Sequence, residues 1–357
     1  MSRTYDIAVI GGDGIGPEVV REGLRVLERV AAIEGFAIKA TSYPFGAEHY
    51  LKTKEIFPES AFAEVRNHRA ILLGAIGDPR IEVGLLEFGI IAKLRFELDL
   101  FVNLRPVKLY ADHLCPLKDT TAAQVDFTVV RENTEDAYAG MRGFFKKGTP
   151  DEIATQEIIF TRKGVERVIR YAFELARKRS RRKLTLIDKA NAIRAMDLWT
   201  RTFAEVGAEY PDIAREHNYI DAACMYVVRN PEGFDTVVTS NMFGDIFTDL
   251  SAMIQGGLGI AASGNIHPGR VSLFEPIHGS APKYAGRNVA NPIATIMAVQ
   301  MMLDDLGESR GAARIEDAVA GLLRSRRLPS LGTDSGFSTT QIGDLVLAEL
   351  EGAAAAR

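Results

Sequence analysis

The stretch VVTSNMFGDIFTDL, Val237–Leu250, predicts a buried strand, a polar turn and the first turns of a helix. Asp245 and Asp249 are four residues apart, so they lie on one face of that helix. Two like charges in an apolar setting repel each other unless a cation compensates them. They are either surface acids that the dipole favours near a helix N-terminus or ligands of a metal ion. The spacing alone leaves both interpretations open.

The strand–turn–helix order of this stretch recurs along the chain. Short apolar strands alternate with helices, which predicts an α/β fold with a largely parallel sheet covered by helices on both faces. We expect two α/β domains, the first formed by residues 1–100 and 256–357 and the second by residues 101–255. Residues Leu85–Leu98 predict one helix of the first domain.

The composition is that of an ordinary globular protein. The 357 residues suffice for two hydrophobic cores, and 46% of them are hydrophobic. The net charge of −4 argues against general affinity for nucleic acid or for membrane surfaces. Cys115 and Cys224 have no metal-ligand spacing, and no apolar run is long enough to span a bilayer. We therefore expect a cytoplasmic protein with neither nucleic acid nor membrane as a partner.

A third acid and three arginines favour the metal interpretation. Asp221 opens another apolar segment, and oxygen ligands without Cys or His suit Mg²⁺ or Mn²⁺. Any single arginine is more often a surface ion-pairing residue. However, Arg95, Arg105 and Arg131 stand at the ends of predicted core elements, and guanidinium groups bind carboxylates bidentately. Together with the acids they indicate a site for a small di-acid chelated to a divalent cation.

Two further residues can carry protons. Tyr138 follows the strand that ends near Arg131, and Lys189 stands at another strand end, in DKAN. Both groups can shuttle protons where their pKa values are depressed.

Six motifs support a family resemblance: GGDGIGPE (Gly11–Glu18), LRFELDLFVNLRP, VVRENTE, DKAN, SNMFGDIFTDL and FEPIHGSAPKYAG. In this order and spacing they resemble the metal-dependent β-decarboxylating dehydrogenases, the family of isopropylmalate, isocitrate, homoisocitrate and tartrate/D-malate dehydrogenases. The likeness extends over essentially the whole chain and is strongest to the bacterial 3-isopropylmalate branch, in LLEFGIIAKLRFELD and GLGIAASGNI. It implies the two-domain fold of that family, which is not a Rossmann fold.

The resemblance implies the role of each candidate residue. It assigns substrate carboxylates to Arg95, Arg105 and Arg131, the metal to Asp221, Asp245 and Asp249, and proton transfer to Tyr138 and Lys189. It also implies that Asp221 and Lys189 act in the site of the partner subunit. The protein would then be a homodimer with shared active sites.

The dinucleotide site is implied by the resemblance and not by a glycine motif. GGDGIGPE does not fit G-x-G-x-x-G, because Pro17 occupies the last glycine position, and there is no P-loop pattern. The family's adenosine loop matches HGSAPKYAGRNVAN, 278–291. The implied cofactor-binding residues are Glu275, His278, Gly279, Ser280, Ala281, Lys283, Tyr284 and Asn291.

The choice between NAD⁺ and NADP⁺ stays open. NAD-dependent members place an Asp where this chain has Lys283, and the pair Lys283–Tyr284 is typical of NADP-dependent isocitrate dehydrogenases. A cation there meets the 2′-phosphate. Those enzymes add a Tyr and an Arg in a later segment, which here reads LGTDSGFSTTQIGD and lacks both. We expect measurable use of NADP⁺.

The residues before Arg95 indicate the substituent on the substrate. Glu87, Phe88 and Ile91 would line its pocket, although apolar residues at helical spacing are more often core. The face is apolar without an extra cation, and burying a third carboxylate there would be costly, which disfavours isocitrate. An alkyl group fits. Phe88 with Gly89 also resembles the aromatic–Gly pair of tartrate/D-malate dehydrogenases.

The expected activity is NAD(P)-dependent oxidative decarboxylation of a 3-substituted malate to a 2-oxo acid and CO₂, with Mg²⁺ or Mn²⁺. The favoured substrate is 3-isopropylmalate or a close alkylmalate, in leucine biosynthesis or in a pathway that borrowed the scaffold. The alternatives are D-malate/tartrate dehydrogenase, then isocitrate or homoisocitrate dehydrogenase. A non-catalytic regulatory subunit would have lost some of the acids, the Tyr or the Lys, and none is lost.

Overall fold

The computed structural model describes residues 3–333 and 335–355. Within these residues the strands are β1 (Thr4–Gly12), β2 (Ala37–Tyr43), β3 (Ala70–Ala75), β4 (Val102–Lys108), β5 (Asp126–Glu132), β6 (Arg142–Phe145), β7 (Ile153–Gln156), β8 (Lys183–Asp188), β9 (Ala214–Tyr219), β10 (Thr236–Thr239), β11 (Ala262–Ile266) and β12 (Ser272–Pro276). The helices are α1 (Gly16–Glu34), α2 (Ala47–Thr53), α3 (Glu59–Val65), α4 (Lys93–Glu97), α5 (Arg162–Lys178), α6 (Asp197–Gly207), α7 (Ile220–Arg229), α8 (Asn241–Ile254), α9 (Ile293–Asp305), α10 (Ser309–Arg324) and α11 (Thr339–Ala355). The alternation of strands and helices confirms the predicted α/β class.

The chain divides into two compact units. The first comprises the described parts of Met1–Leu100, Leu109–Ala122 and Ala252–Arg357. Its strands lie in the order β2-β1-β3-β12-β11, parallel except for β11, which is antiparallel to β12. Alternate residues of β1 point to opposite faces. Ala8 and Ile10 pack in a core with α2, α3 and α4, while the other face is covered by α1 and α9.

The second unit comprises Phe101–Lys108 and Ala123–Ser251. Its strands lie in the order β4-β5-β10-β8-β9, parallel except for β4, which is antiparallel to β5. The central strand Thr236–Thr239 is buried along its whole length because helices, α5 among them, cover it. Strands β6 and β7 form a separate antiparallel hairpin whose residues are largely exposed.

The unit bounds differ from the expected domain bounds at two places. Residues 109–122, expected in the second domain, belong to the first unit, which also resumes earlier than expected, at Ala252. The hydroxyl of Tyr110 donates to Glu316 at 3.2 Å, and Arg324 donates to the carbonyl oxygen of Tyr110. These partners are some 200 residues away in sequence, so the local sequence pattern does not reveal them.

The helix predicted over Leu85–Leu98 is present, and its hydrogen-bond register changes within it. Glu87–Ala92 form a widened π-helical turn, and a regular α-helix, α4, follows directly. A π turn inserts one extra residue into the helical repeat and is frequent at functional sites. Apolar spacing predicts the helical segment but not this change of hydrogen-bond register.

Candidate active site

Asp245 and Asp249 lie on one face of the first turns of α8, and the guanidinium of Arg105 lies against both. Arg105 Nη2 is 3.2 Å from Asp245 Oδ1, and Nη1 is 3.4 Å from Asp249 Oδ1. Arg131 Nη1 also contacts Asp245 Oδ1, at 2.5 Å. Both arginine side chains are almost fully buried, whereas the carboxylates of Asp245 and Asp249 are 36% and 57% exposed. The two arginines are thus the cations that compensate the acids.

Three polar side chains absent from the predicted set fix the two guanidinium groups. Arg105 donates through Nε to Asn103 at 2.7 Å and through Nη1 to the hydroxyl of Thr248 at 2.6 Å. Arg131 donates through Nε to Asn241 at 3.0 Å. Strand alternation could have indicated Asn103, because residues two apart on a strand share a face. Thr248 and Asn241 are within one turn of the predicted acids and carried no separate signal.

Tyr138 reaches the same carboxylate from a short 3₁₀ turn, Asp136–Ala139. Its hydroxyl donates to Asp245 Oδ2 at 3.0 Å, and its ring lies 5.6 Å from the Arg131 guanidinium. Partial burial, and then the negative charge of Asp245, raise the pKa of the phenol above its ordinary value. The condition of a depressed pKa is therefore not met at Tyr138. The phenol keeps its proton at neutral pH, as a proton donor must.

Lys189 and Asp221 form a pair of their own in the second unit. Lys189 directly follows β8, Asp221 is in the first turn of α7, and Lys189 Nζ is 2.6 Å from Asp221 Oδ1. This hydrogen bond lowers the pKa of the Asp221 carboxyl, so it stays ionised. Within residues 3–333 and 335–355, no group of three or more His, Cys, Asp or Glu could hold a metal ion. One chain therefore does not bring its three predicted acids together.

The first unit carries Arg95, near the end of α4. Arg95 Nη2 donates to Glu275 at 2.9 Å, and Asn265 donates to the same carboxylate oxygen at 2.8 Å. Arg95 Nε is buried and has no hydrogen-bond partner among the residues that the structure describes. Glu275, one of the predicted cofactor-binding residues, thus also holds the guanidinium of Arg95.

The predicted substituent pocket is divided among three environments. Glu87 accepts a hydrogen bond from the backbone of Gly84 at 3.1 Å and lines a cavity of about 600 Å³ in the first unit. Phe88 is 42% exposed. Ile91 packs against the hydrophobic core. Ile91 is therefore a core residue, as apolar residues at helical spacing usually are. The ring of Phe88, in contrast, is accessible.

The same cavity holds much of the predicted adenosine loop. Of the predicted cofactor residues, Gly279, Ser280, Ala281 and Lys283 line it, together with Asp78 and neighbouring loop residues. The ammonium of Lys283 lies over the ring of the adjacent tyrosine, 4.7 Å from its centroid.

Tyr284, His278 and Asn291 are not in the wall of that cavity. Burial lowers the pKa of His278, so its ring is neutral near pH 7. Asn291 donates to the carbonyl oxygen of Leu331 and accepts from the backbone of Ile293 at the start of α9. Its amide therefore fixes the end of the loop.

Comparison with known proteins places this site in a family. A family model described as isocitrate/isopropylmalate dehydrogenase matches residues 6–346. The chain belongs to this family. The membership confirms the resemblance seen in the sequence, the fold class and the enzyme class, a decarboxylating hydroxyacid dehydrogenase.

Relatives within the isocitrate/isopropylmalate dehydrogenase family extend over almost the full length. A 3-isopropylmalate dehydrogenase of Thermobifida fusca (strain YX) is 51% identical over 347 residues, which cover 96% of this chain and 97% of that protein. A 3-isopropylmalate dehydrogenase of Frankia casuarinae is 53% identical and covers 90% of this chain and 93% of that protein.

Solved structures of the family share the fold. The isocitrate dehydrogenase of Methylococcus capsulatus has a TM-score of 0.88 at 36% identity and covers 97% of this chain and 99% of that chain. A β-decarboxylating dehydrogenase of Thermococcus kodakarensis has a TM-score of 0.79 at 32% identity, with 98% and 96% covered. No helix in the described part of the chain is long and apolar enough to cross a membrane.

Proposed function

We propose that the protein catalyses the NAD(P)⁺-dependent oxidative decarboxylation of 3-isopropylmalate, or a close alkylmalate, in the cytoplasm. The observation that carries the proposal is the environment of Asp245, which meets two buried guanidinium groups and the hydroxyl of Tyr138 on one carboxylate. The names of the two relatives above support 3-isopropylmalate among the malates. The accessible apolar ring of Phe88 agrees with an alkyl substituent.

The donor set fits a divalent ion. Asp245 and Asp249 offer carboxylate oxygens on one helical face, without His or Cys, which suits Mg²⁺ or Mn²⁺. Burial, and then the charge of Asp245, raise the pKa of Asp249, so a bound cation would relieve the repulsion between the two acids. The third ligand would be Asp221 of a second copy. When bound, the ion supplies Lewis-acid polarisation of the substrate's 2-hydroxyl and later of its carbonyl.

The arginines bind and orient the substrate. The guanidinium groups of Arg105 and Arg131 are held in place by Asn103, Thr248 and Asn241. When a metal ion takes the two acids, these guanidinium groups would bind the substrate carboxylates in place of the acids. The buried Nε of Arg95 is a further donor available to a carboxylate in the first unit.

Lys189 and Tyr138 handle the protons. The dinucleotide would supply the acceptor for the hydride from C2 of the substrate, and the neutral amine of Lys189, held beside Asp221, would accept the hydroxyl proton. The C–C bond to the β-carboxylate then breaks, CO₂ leaves, and the bonding electrons remain on the substrate as an enolate. Tyr138, whose pKa is raised, then donates its proton to the carbon of the enolate that has lost the carboxylate.

Exposed apolar residues support a homodimer that completes this site. On α7, Met225 and Val228 are 65% and 42% exposed and lie four and seven residues after Asp221, on the same helical face. On α8, Ile246 is 55% exposed and lies three residues before Asp249. Each acid thus stands beside apolar side chains that a partner would cover. A second copy binding there would bring its Asp221 and Lys189 towards Asp245 and Asp249.

Intersubunit complementation tests the shared site. K189A and D249N homodimers should both be inactive, because each site lacks one group. Co-expression of the two chains should restore activity to about a quarter of the wild-type value, since half of randomly formed dimers are mixed and each has one intact site. Activity in either homodimer, or none in the mixture, would contradict site sharing. Co-expression of D249N with D245N is the matched control and should stay inactive, because every site in such a mixture lacks one of the two acids.

A substrate panel tests the reaction itself. Initial rates should be measured with 3-isopropylmalate, other 3-alkylmalates, D-malate, tartrate and isocitrate, with both dinucleotides and Mn²⁺. D-malate or tartrate is the second candidate, because the bulk of the accessible Phe88 ring would narrow the pocket and favour a small substituent. Isocitrate as the best substrate would contradict the pocket assignment. A preference for NAD⁺ above roughly a thousandfold, about 4 kcal/mol, would contradict a role for Lys283 with the 2′-phosphate.

A further inference from the structure

The glycine-rich turn Gly11–Gly16 holds the dinucleotide loop, 278–291, through its backbone. The N–H of Ile15 donates to the carbonyl oxygen of Ser280 at 2.8 Å. Gly14 has a φ of +58°, and a Cβ added there would lie 1.9 Å from that same oxygen. The glycine therefore allows two backbones to approach each other. The glycine-rich motif thus contacts the backbone of another loop of the protein.

Glu18, at the end of the same motif, holds the far half of the loop. One carboxylate oxygen accepts the backbone N–H of Gly286, and the other accepts the N–H of Asn288 at 3.0 Å. Glu18 lies in the first turn of α1, where the helix dipole favours a negative charge. The two bonds use the two carboxylate oxygens separately, and a glutamine offers one oxygen and a donor in place of the other, so it would lose at least one bond in this geometry.

The loop needs such external bonds because its own conformation is unfavourable. Ala281 has a φ of +41°, and Gly286 and Asn288 have φ values of +71° and +56°. The left-handed region is disfavoured for alanine, although glycine and asparagine tolerate it better. The backbone of Ser280 precedes the strained residue and is fixed by Ile15, while Glu18 fixes the two left-handed positions that follow. Both sides of the Lys283 segment are thereby held.

We propose that Glu18 is a positioning residue for the dinucleotide, which keeps the loop in its binding conformation before the ligand arrives. The proposal rests on the proposed function, because it takes this loop as the dinucleotide site. A loop that is already ordered binds without the entropic cost of ordering. Loss of the Glu18 bonds therefore weakens dinucleotide binding and leaves the chemical step, which belongs to residues of the second unit, largely unchanged.

The test compares E18Q with E28Q. Glu28 is exposed on the same helix and lines a different groove, with Ser42 and Tyr43, so E28Q makes the same change in charge without touching the loop bonds. The first measurement is amide hydrogen exchange of the peptide containing Gly286 and Asn288, without any ligand. The second is the Kd for NADH and NADPH by fluorescence titration, together with KM and kcat.

For E18Q we expect faster exchange confined to this loop and a Kd raised about tenfold, which corresponds to about 1.4 kcal/mol. KM for the dinucleotide should rise with it, while kcat and KM for the di-acid stay within about twofold of wild type. E28Q should match the wild type. Unchanged loop exchange, or a Kd within twofold of E28Q, would overturn the proposal. Failure of the proposed function looks different, because the wild type itself would then bind no dinucleotide.

Discussion

Glu132 allows a quantitative prediction about stability. It ends β5 directly after Arg131 and is 1% exposed. Its carboxylate accepts from the backbone and hydroxyl of Thr134, both at 2.7 Å, and from the backbone of Glu135 at 2.9 Å. These bonds fix the turn that leads to Tyr138. Burial nevertheless outweighs them and raises the pKa of Glu132 from 4.5 to about 7.

The raised pKa makes stability depend on pH with a defined sign. In the unfolded chain the Glu132 carboxyl ionises near pH 4.5, and in the folded chain near pH 7. Between these values the folded state holds more protons than the unfolded state, so the free energy of unfolding falls as pH rises. Above about pH 7 both states are ionised and the loss is complete. The interval corresponds to a loss of about 3 kcal/mol.

The variant E132Q isolates this contribution because its amide does not titrate. Its free energy of unfolding relative to wild type should increase by up to about 3 kcal/mol between about pH 5 and about pH 8. Any lost hydrogen bond, such as that from Glu135, shifts the difference equally at every pH. The measurement is urea denaturation of both proteins over this pH range, at one protein concentration because dimerisation would add to stability. A difference that stays constant with pH would refute the reasoning.

Three further substitutions test the site and its support. D245N should abolish the activity that depends on Mg²⁺ or Mn²⁺, because it removes a metal ligand; unchanged rates with and without chelator would contradict this. Y138F should lower kcat by about a hundredfold with little change in substrate KM, as expected for loss of a proton donor, and initial-rate kinetics decide. G14A should lower the free energy of unfolding by about 2 kcal/mol or more, because the added Cβ would lie 1.9 Å from the Ser280 oxygen; a urea transition like that of wild type would argue against the close approach.

The second-unit half of the site could be predicted because parallel strands share an edge. Strand β5 ends near Arg131 and pairs with β10, whose following helix starts at Asn241. The carboxyl ends of neighbouring parallel strands lie side by side, so Arg131 and the acids of α8 had to be close. Strands β8 and β10 could also be predicted, because Leu, Ile, Val and Thr dominate them and favour buried strands.

Other features could not be predicted because they depend on contacts between distant residues. Glu18 and Gly286 are 268 positions apart, and nothing in the first turn of α1 indicates its partner. The widened turn at Glu87–Ala92 depends on which carbonyl each N–H selects, which apolar spacing does not encode. The raised pKa of Tyr138 results from its partial burial and from the charge of Asp245, and neither can be seen in the local sequence.

The way the loop 278–291 is fixed has a consequence for evolution and for engineering. The hydrogen bonds from Ile15 and to Glu18 involve only backbone groups of the loop, so they fix the path of the chain and not its side chains. Ile15 additionally packs against Ala281 and Tyr284. Side chains that face the cavity, such as that of Lys283, are therefore free to vary while the path is kept. The loop can therefore change its side chains while its backbone path stays the same. Grafting the loop of another relative should succeed where its backbone passes the same two anchors, whatever nucleotide it prefers.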